Sequence, residues 1–396
     1  MNRCSFATRL ANAYHKRPRG HRFTSSSPSL SLSLTTDLVN RLSRVDSSSA
    51  PDLDHAWAEL RWLTEHVLRR RTVKCWRPAS QVPPALLSDR AVLVATIDGD
   101  GRGNDAGHSR VDPFSEAEKA RLQRMVDDRV VRNKPLQYVL GSQPFAGIEV
   151  RCKPPILVPR WETEEWTMRL LALIEDHIST SVARSFSILD LCSGTSCISL
   201  ALAFNVSRRF PDLNLSVTAV DTEPRAIALG LTTRRHLDLP ETVRYNALQA
   251  SVFDAGLKDR LKPLALDGVF DLVVSNPPYV TLAEWAELEP VVKDWEDRKA
   301  LVGKVDPGNS SSSSSTLSHE ADIAAGVGYY PAIARIAKSV LREKTNESLC
   351  PKLVVEIGGD HQTQGVSQIL REELGGNVSV WTDLAGHQRC VVSNDS

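Results

Sequence analysis

The chain has 396 residues, 24% of them charged, and its 48 Lys plus Arg balance 48 Asp plus Glu for a formal charge of zero. This length suggests roughly two or three domains, and the balanced charge excludes a global basic field that would gather nucleic acid, though not a local patch. No apolar run is long enough to span a bilayer; the seven scattered cysteines form neither a CxxC pair nor a Cys/His cluster of zinc spacing, so reduced intracellular thiols and no metal site are expected.

Residues 1–36 carry Arg3, Arg9, Lys16, Arg17, Arg19 and Arg22, no acidic residue, and a Ser-rich end at 25–33. Arg-rich, Ser-rich and acid-free is the composition of an organelle transit peptide; a secretory signal would have an apolar core. The alternative is a disordered cytosolic tail. The composition favours the mitochondrial matrix over the cytoplasm.

Leu53, Ala56, Trp57, Leu60, Leu63 and Val67 then recur at helical spacing over 52–70. A second helix is predicted over 115–132, with Ser115 as N-cap and Glu118 at the capping-box position. The Gly/Asp stretch 98–104 between them fails as a calcium loop, because Arg102 stands where an oxygen ligand is needed. Residues 37–133 therefore read as a small helical domain.

Short strands are expected at 137–139, 148–152 and 156–158, with Gly141 and Gly147 in the turns. They make residues 134–160 a β-hairpin connector. From Ser187 the pattern alternates: strands at 188–191, 215–220, 270–274 and 353–357, helices at 198–210, 224–237 and 330–341. Such alternation predicts an α/β, Rossmann-like, doubly wound parallel sheet. A last strand pair, 378–382 and 389–392, turns at Gly386, and a Ser-rich tract near 305–322 reads as a disordered insertion.

Three constellations carry chemistry. A strand delivers Asp190, and a turn of small residues, Cys192-Ser193-Gly194-Thr195-Ser196, opens onto a helix. Small residues admit a ligand close to the backbone, and a helix N-terminus offers unpaired N–H groups. The next strand ends in Asp221, where α/β nucleotide binders hold ribose hydroxyls; a helix N-cap is the bland reading. Together these favour an adenosine-type cofactor over a dinucleotide, since no GxGxxG is present. The second constellation is Asn276-Pro277-Pro278-Tyr279 after the apolar run 269–275. Two prolines end the strand and fix an amide side chain at its C-terminal edge, next to an aromatic ring. That corner suits a small planar NH2-bearing group, and equally suits a strand-ending turn with a packed tyrosine. The third is Pro159-Arg160-Trp161-Glu162-Thr163-Glu164, readable as a surface ion pair between Arg160 and Glu162 or as charged residues shaping a site.

Residues 134–141, 145–147 and 157–164, followed by 190–200, 219–221 and 276–279, resemble the HemK/PrmC family. The likeness continues through 300–303, 328–330, 356–358 and 383–389. These enzymes are S-adenosylmethionine-dependent methyltransferases of the glutamine in the GGQ motif of class I peptide release factors. The resemblance implies a seven-stranded class I methyltransferase sheet over 161–396, preceded by a helical substrate-binding domain. It puts cofactor binding on Asp190, Cys192, Gly194, Thr195, Asp221 and Asn276, and catalysis on Asn276, Pro277, Pro278 and Tyr279. Arg160, Glu162 and Thr163 would shape the substrate site, and neither a membrane nor a nucleic acid is required. This sequence departs from the family at Cys192 and Ser196, where glycine is common, and at Ser251, where an Asp often contacts adenine. A side chain at a position adapted to glycine either obstructs backbone approach or demands positive φ. The rival readings are a DNA or RNA amino-group methyltransferase, with Tyr279 stacking on a flipped base, and a protein that kept the fold without catalysis.

Overall fold

The computed structural model describes residues 32–44, 53–72, 114–181, 184–303, 326–343 and 350–394. The leader up to residue 31, the Gly/Asp stretch and the Ser-rich tract lie outside the described residues. The chain divides into two compact units, Met1–Leu140 and Gly141–Ser396.

In the first unit, α1 (Leu32–Leu42), α2 (Leu53–Thr72) and α3 (Glu116–Val130) surround Leu38, Leu42, Ala56, Leu60, Leu63, Leu122 and Val126. Helix α1 starts inside the span assigned to the leader, and Leu34 packs against this core. The folded unit therefore begins before residue 37. The capping box expected at α3 is present: Ser115 Oγ accepts from Glu118 N at 3.3 Å, and Ser115 N donates to Glu118 Oε2 at 2.9 Å. A buried ion pair joins α2 to α3, with Arg129 donating through Nε to Glu59 Oε1 at 3.1 Å. The strand expected at 137–139 is instead a helical turn, Leu136–Leu140. Pro135 starts it, and its carbonyl accepts from both Tyr138 N and Val139 N. A short apolar run carries no period of its own, so its neighbours decided its conformation.

The second unit opens with a hairpin, β1 (Ser142–Phe145) and β2 (Ile148–Arg151), joined by Ala146 and Gly147. Both turn residues have positive φ, the pattern whose twist matches paired strands. Residues 156–158 form no strand: Ile156 N closes a turn onto Lys153 O, and Pro154, Pro155 and Pro159 have no N–H to give a ladder.

Next come α4 (Trp161–Thr180), β3 (Ser185–Leu191), α5 (Cys197–Arg209), β4 (Asn214–Asp221), α6 (Pro224–His236), β5 (Val243–Gln249), β6 (Leu272–Ser275), α7 (Tyr330–Val340), β7 (Leu353–Glu356), α8 (Asp360–Leu374), β8 (Asn377–Thr382) and β9 (Gln388–Asn394). The seven strands β3 to β9 make one sheet in the order β5-β4-β3-β6-β7-β9-β8, parallel except for β9, which runs antiparallel to both β7 and β8. This is the seven-stranded, doubly wound α/β sheet that the resemblance implies. Strand β5 was not read from the sequence, because Val-Arg-Tyr-Asn-Ala-Leu-Gln at the sheet edge is only partly buried and lacks a dense apolar run.

Alternate residues of the central strands serve two cores. Ile188, Val217, Leu272 and Val354 face one side with α4 and α5; Leu189, Val273, Leu353 and Val355 face the other with α7 and α8. Strands buried on both faces read as the continuous apolar runs seen in the sequence.

Candidate active site

Strand register sets the site. Leu191 lies level with Val220 on β4 and with Ser275 on β6, so the chain leaves three adjacent strands at one height. The residues that follow, Cys192, Asp221 and Asn276, share the carboxyl edge. The strand order reverses beside β3, since β4 lies on one side of it and β6 on the other. Open α/β sheets bind ligands at such a switch point.

On the β3–β4 side, Asp221 folds the small-residue turn around its carboxylate. Its Oδ2 accepts from Gly194 N at 2.8 Å, and its Oδ1 accepts from Glu223 N at 2.9 Å. Asp190 is fully buried one level below; its Oδ2 accepts from Ser199 N at 3.3 Å, while Oδ1 has no hydrogen-bond partner among the described residues. Burial pushes the Asp190 carboxyl up to about 7, and desolvation also raises Asp221. The buried Ser193 hydroxyl has no partner among the described residues either. Two buried polar atoms, Asp190 Oδ1 and Ser193 Oγ, thus sit beside the Asp221 turn with unspent hydrogen-bonding capacity, which a polar ligand or ordered water would satisfy. Thr195 is buried in the same turn.

The departures at Cys192 and Ser196 resolve as positive φ. The two residues sit at +59° and +60°, on either side of Gly194 at +51°. Ser196 keeps its side chain clear of the turn because α6 carries a glycine beside it. A Cβ on Gly230 would meet Ser196 Oγ at 2.5 Å and the Tyr245 hydroxyl at 3.1 Å. Ser251 serves its own turn, with Oγ accepting from Phe253 N at 3.2 Å and its N–H bound to Asp254.

On the β6 side, Asn276 follows the buried strand and Pro277 and Pro278 are buried behind it. Glycines press directly on this corner. A Cβ on Gly303 would come within 2.8 Å of Pro278 O, and one on Gly326 within 2.2 Å of Tyr279 O. The Tyr279 carbonyl also accepts from Gln362 Nε2 at 2.8 Å.

Glu356, at the end of β7, is the hub that residue-by-residue reading missed. Its carboxylate is almost fully buried. Oε2 accepts from Thr163 Oγ and Trp166 Nε1, both at 2.7 Å, and Oε1 accepts from Tyr279 Oη at 3.1 Å. Thr163 Oγ in turn accepts from Asn276 Nδ2 at 3.2 Å. The connector segment and the Asn-Pro-Pro-Tyr corner, 113 residues apart in sequence, therefore meet on one carboxylate. The available signal was a lone Glu closing the apolar run Leu353–Val355, beside a second strand end with a polar residue. Burial and the adjacent Glu356 hold the Tyr279 phenol well above its usual range, so it stays protonated and donates.

Arg160 and Glu162 do not pair. Arg160 donates through Nη2 to the buried Glu296 at 2.6 Å, and Glu162 is close enough to raise Arg389 through its charge. Of the three residues expected to shape the substrate site, only Thr163 is hydrogen-bonded to Glu356, while the charge of Glu162 reaches Glu356 and that of Arg160 reaches Tyr279. Glu164, by contrast, anchors the hairpin by accepting from Ala146 N at 2.7 Å. Next to Tyr279 lies a cavity of ≈ 550 Å³ lined by Val280, Ala283, Glu284, Glu287, Leu288 and Gly358. The five described cysteines form no disulfide with one another, and burial pushes the Cys197 thiol up to about 12, which disfavours the thiolate a nucleophile needs.

No family model matches the chain. It is 30% identical over 273 residues to "Release factor glutamine methyltransferase" of Bacteroides thetaiotaomicron, covering 67% of this chain and 78% of that one. The chain belongs to the release factor glutamine methyltransferase family. Other relatives of this family include the Fusobacterium nucleatum protein of the same name, 27% identical over 293 residues and covering 73% and 68% of the two chains. The "Mitochondrial MRF1 N(5)-glutamine methyltransferase MTQ1" of Saccharomyces cerevisiae is 32% identical over 178 residues, 44% of this chain and 52% of that protein. The alignment thus spans about half the length of the yeast member of the release factor glutamine methyltransferase family.

Proposed function

We propose that this chain transfers a methyl group from S-adenosylmethionine to the side-chain nitrogen of the glutamine in the GGQ motif of a mitochondrial class I release factor. The observation that carries this reading is the Asn276–Thr163–Glu356 chain, which ties the Asn-Pro-Pro-Tyr corner to the connector segment beside a cofactor-type turn. Kinship with the named glutamine methyltransferases supports the acceptor. The leader composition and the mitochondrial relatives support the compartment. No described helix is long and apolar enough to cross a membrane.

The residues present fit the cofactor. Asp190, with a buried unpartnered oxygen, and Asp221, with lone pairs left beyond its two backbone bonds, would hold amine and hydroxyl groups of an adenosyl amino acid. Cys192, Gly194 and Thr195 would line its backbone approach, and Asn276 would stand between it and the acceptor. The cofactor supplies an electrophilic methyl on a sulfonium.

A carboxamide nitrogen is a poor nucleophile because its lone pair is delocalised into the carbonyl. The protein must therefore hold it in place. The Asn276 side-chain oxygen and the Pro277 carbonyl, which has two lone pairs and lies at the same corner, accept the two N–H bonds of the glutamine amide. Tyr279, pinned by Glu356 and Gln362, covers the planar group and excludes water. Positioning and preorganised acceptors then supply most of the acceleration.

The test is methyl transfer from labelled S-adenosylmethionine to a mitochondrial release factor with an intact GGQ, alongside its GGA variant, DNA and RNA. Label should enter only the intact release factor; label in a nucleic acid, or equal label in the GGA variant, would transfer the assignment to another acceptor. Asn276→Ala should keep cofactor affinity while turnover falls at least about a hundredfold, and near-normal turnover would remove Asn276 from the mechanism.

A further inference from the structure

We propose that Thr163 is a positioning residue which, with its proton claimed by Glu356, fixes which end of the Asn276 amide faces the acceptor. This rests on the glutamine-methylation reading and adds the source of the amide's orientation.

The polarity follows from the donor inventory. Trp166 Nε1 can only donate, and it donates to Glu356 Oε2 at 2.7 Å. Tyr279 Oη donates to Oε1 at 3.1 Å. Burial raises the Glu356 carboxyl, but three donors, Thr163, Trp166 and Tyr279, converge on it and hold the ionised form. An ionised carboxylate accepts only, so the single proton of the Thr163 hydroxyl points at Oε2, 2.7 Å away. What Thr163 Oγ has left for Asn276 is a lone pair. A lone pair binds Nδ2, which lies at 3.2 Å, and repels Oδ1. The amide is thereby set with Oδ1 directed away from Thr163 as the free acceptor. The flipped amide would offer an NH2 to the glutamine NH2, two donors facing each other. Thr163 and Glu356 are each 1% exposed, so water does not compete for these bonds.

The relay is held on both sides by structure. Thr163 sits in the first turn of α4, where its own carbonyl accepts from Thr167 Oγ at 2.7 Å. The residue before that helix, Arg160, is fixed to the buried Glu296. Glu356 is extended from β7, and its backbone carbonyl accepts from Tyr330 Oη at 2.8 Å. Neither partner can drift without breaking a buried bond.

The experiment compares Thr163→Val, Thr163→Ala and Thr163→Ser in the full chain. Valine keeps the shape and removes the hydroxyl. It should lower kcat on the release factor on the order of ten- to a hundredfold. KM for the release factor and the affinity for S-adenosylhomocysteine should stay within about threefold. Serine should restore kcat to within about threefold of the parent. If valine unfolds the chain, as judged by thermal melting, alanine provides the hydroxyl-free comparison. A second readout is independent of turnover: the Asn276 side-chain NH2 resonances, assigned by their loss in Asn276→Asp, should show cross-relaxation to the side-chain protons at position 163 in the parent and in Thr163→Ser. In the hydroxyl-free variants the amide should populate both orientations. Parent-like kcat in a folded hydroxyl-free variant, or an equal loss in Thr163→Ser, would overturn the proposal. So would a parent amide whose NH2 points away from Thr163. A parent chain that binds S-adenosylhomocysteine with this amide orientation but methylates no release factor would refute the functional reading and leave the relay supported.

Discussion

Cofactor affinity should fall with pH through the titration of Asp190. Its carboxyl is fully buried, Oδ1 has no partner among the described residues, and burial lifts it from its ordinary 3.8 to about 7. A ligand that donates to this carboxylate binds the ionised form, so the apparent dissociation constant rises as the inverse of the ionised fraction below that value. Relative to pH 7.5, affinity should fall about tenfold by pH 6 and about a hundredfold by pH 5. Titration calorimetry with S-adenosylhomocysteine in buffers of different ionisation enthalpy would measure both the affinity and the proton released, which should approach one per ligand below pH 7. Asp190→Asn should bind more weakly at pH 7.5 and lose most of this slope. The sign on stability is the reverse of the usual carboxylate case. The folded value lies above the unfolded one, so this group favours the fold most below 3.8 and loses that contribution as pH rises toward 7. Without ligand, Asp190→Asn should therefore melt above the parent at pH 8, with the difference shrinking toward pH 5. An affinity that is flat from pH 7.5 to 5.5, or a variant with the parent's slope, would refute the assignment of the titration to Asp190.

Two further outcomes test the packing. Gly230→Ala adds a Cβ 2.5 Å from Ser196 Oγ; overpacking of about 1–3 kcal/mol outweighs a helix gain of about 1 kcal/mol, so the parent should lose about 1 kcal/mol. In a Ser196→Gly background the same change should be neutral or stabilising, and additivity within about 0.5 kcal/mol in denaturant melts would break the proposed pairing. Glu59→Gln should leave the Arg129 cation buried against a neutral group and cost about 3–5 kcal/mol, read as early melting of the helical unit; a loss below about 1 kcal/mol would mean that water reaches the pair.

Local chemistry was legible wherever one short segment decided it. Apolar runs marked the buried strands, Ser115 and Glu118 announced a capping box, Pro277 and Pro278 ended β6, and Asp190 and Asp221 stood at strand ends where backbone rules place ligand groups. Ser196 at a glycine-type position correctly demanded positive φ. Two failures have the same origin: residues 137–139 and 156–158 are too short to carry a period, and Pro135 and the prolines around 155 overrode their apolar character.

The tertiary structure decided whatever depended on pairs distant in sequence. Arg160 finds Glu296 rather than Glu162, Ser196 finds Gly230, and Glu356 gathers Thr163, Trp166 and Tyr279 from three segments. Sequence alone thus determined which residue types stand at the carboxyl edge of the sheet, because strand period and proline act within a few residues. It left open which hydrogen-bond partner each one meets, because that depends on strand order and register. Asn276 has a carboxamide on any reading of the chain. Only the fold, by placing a hydroxyl with a committed proton 3.2 Å from its nitrogen, decides which way the amide points.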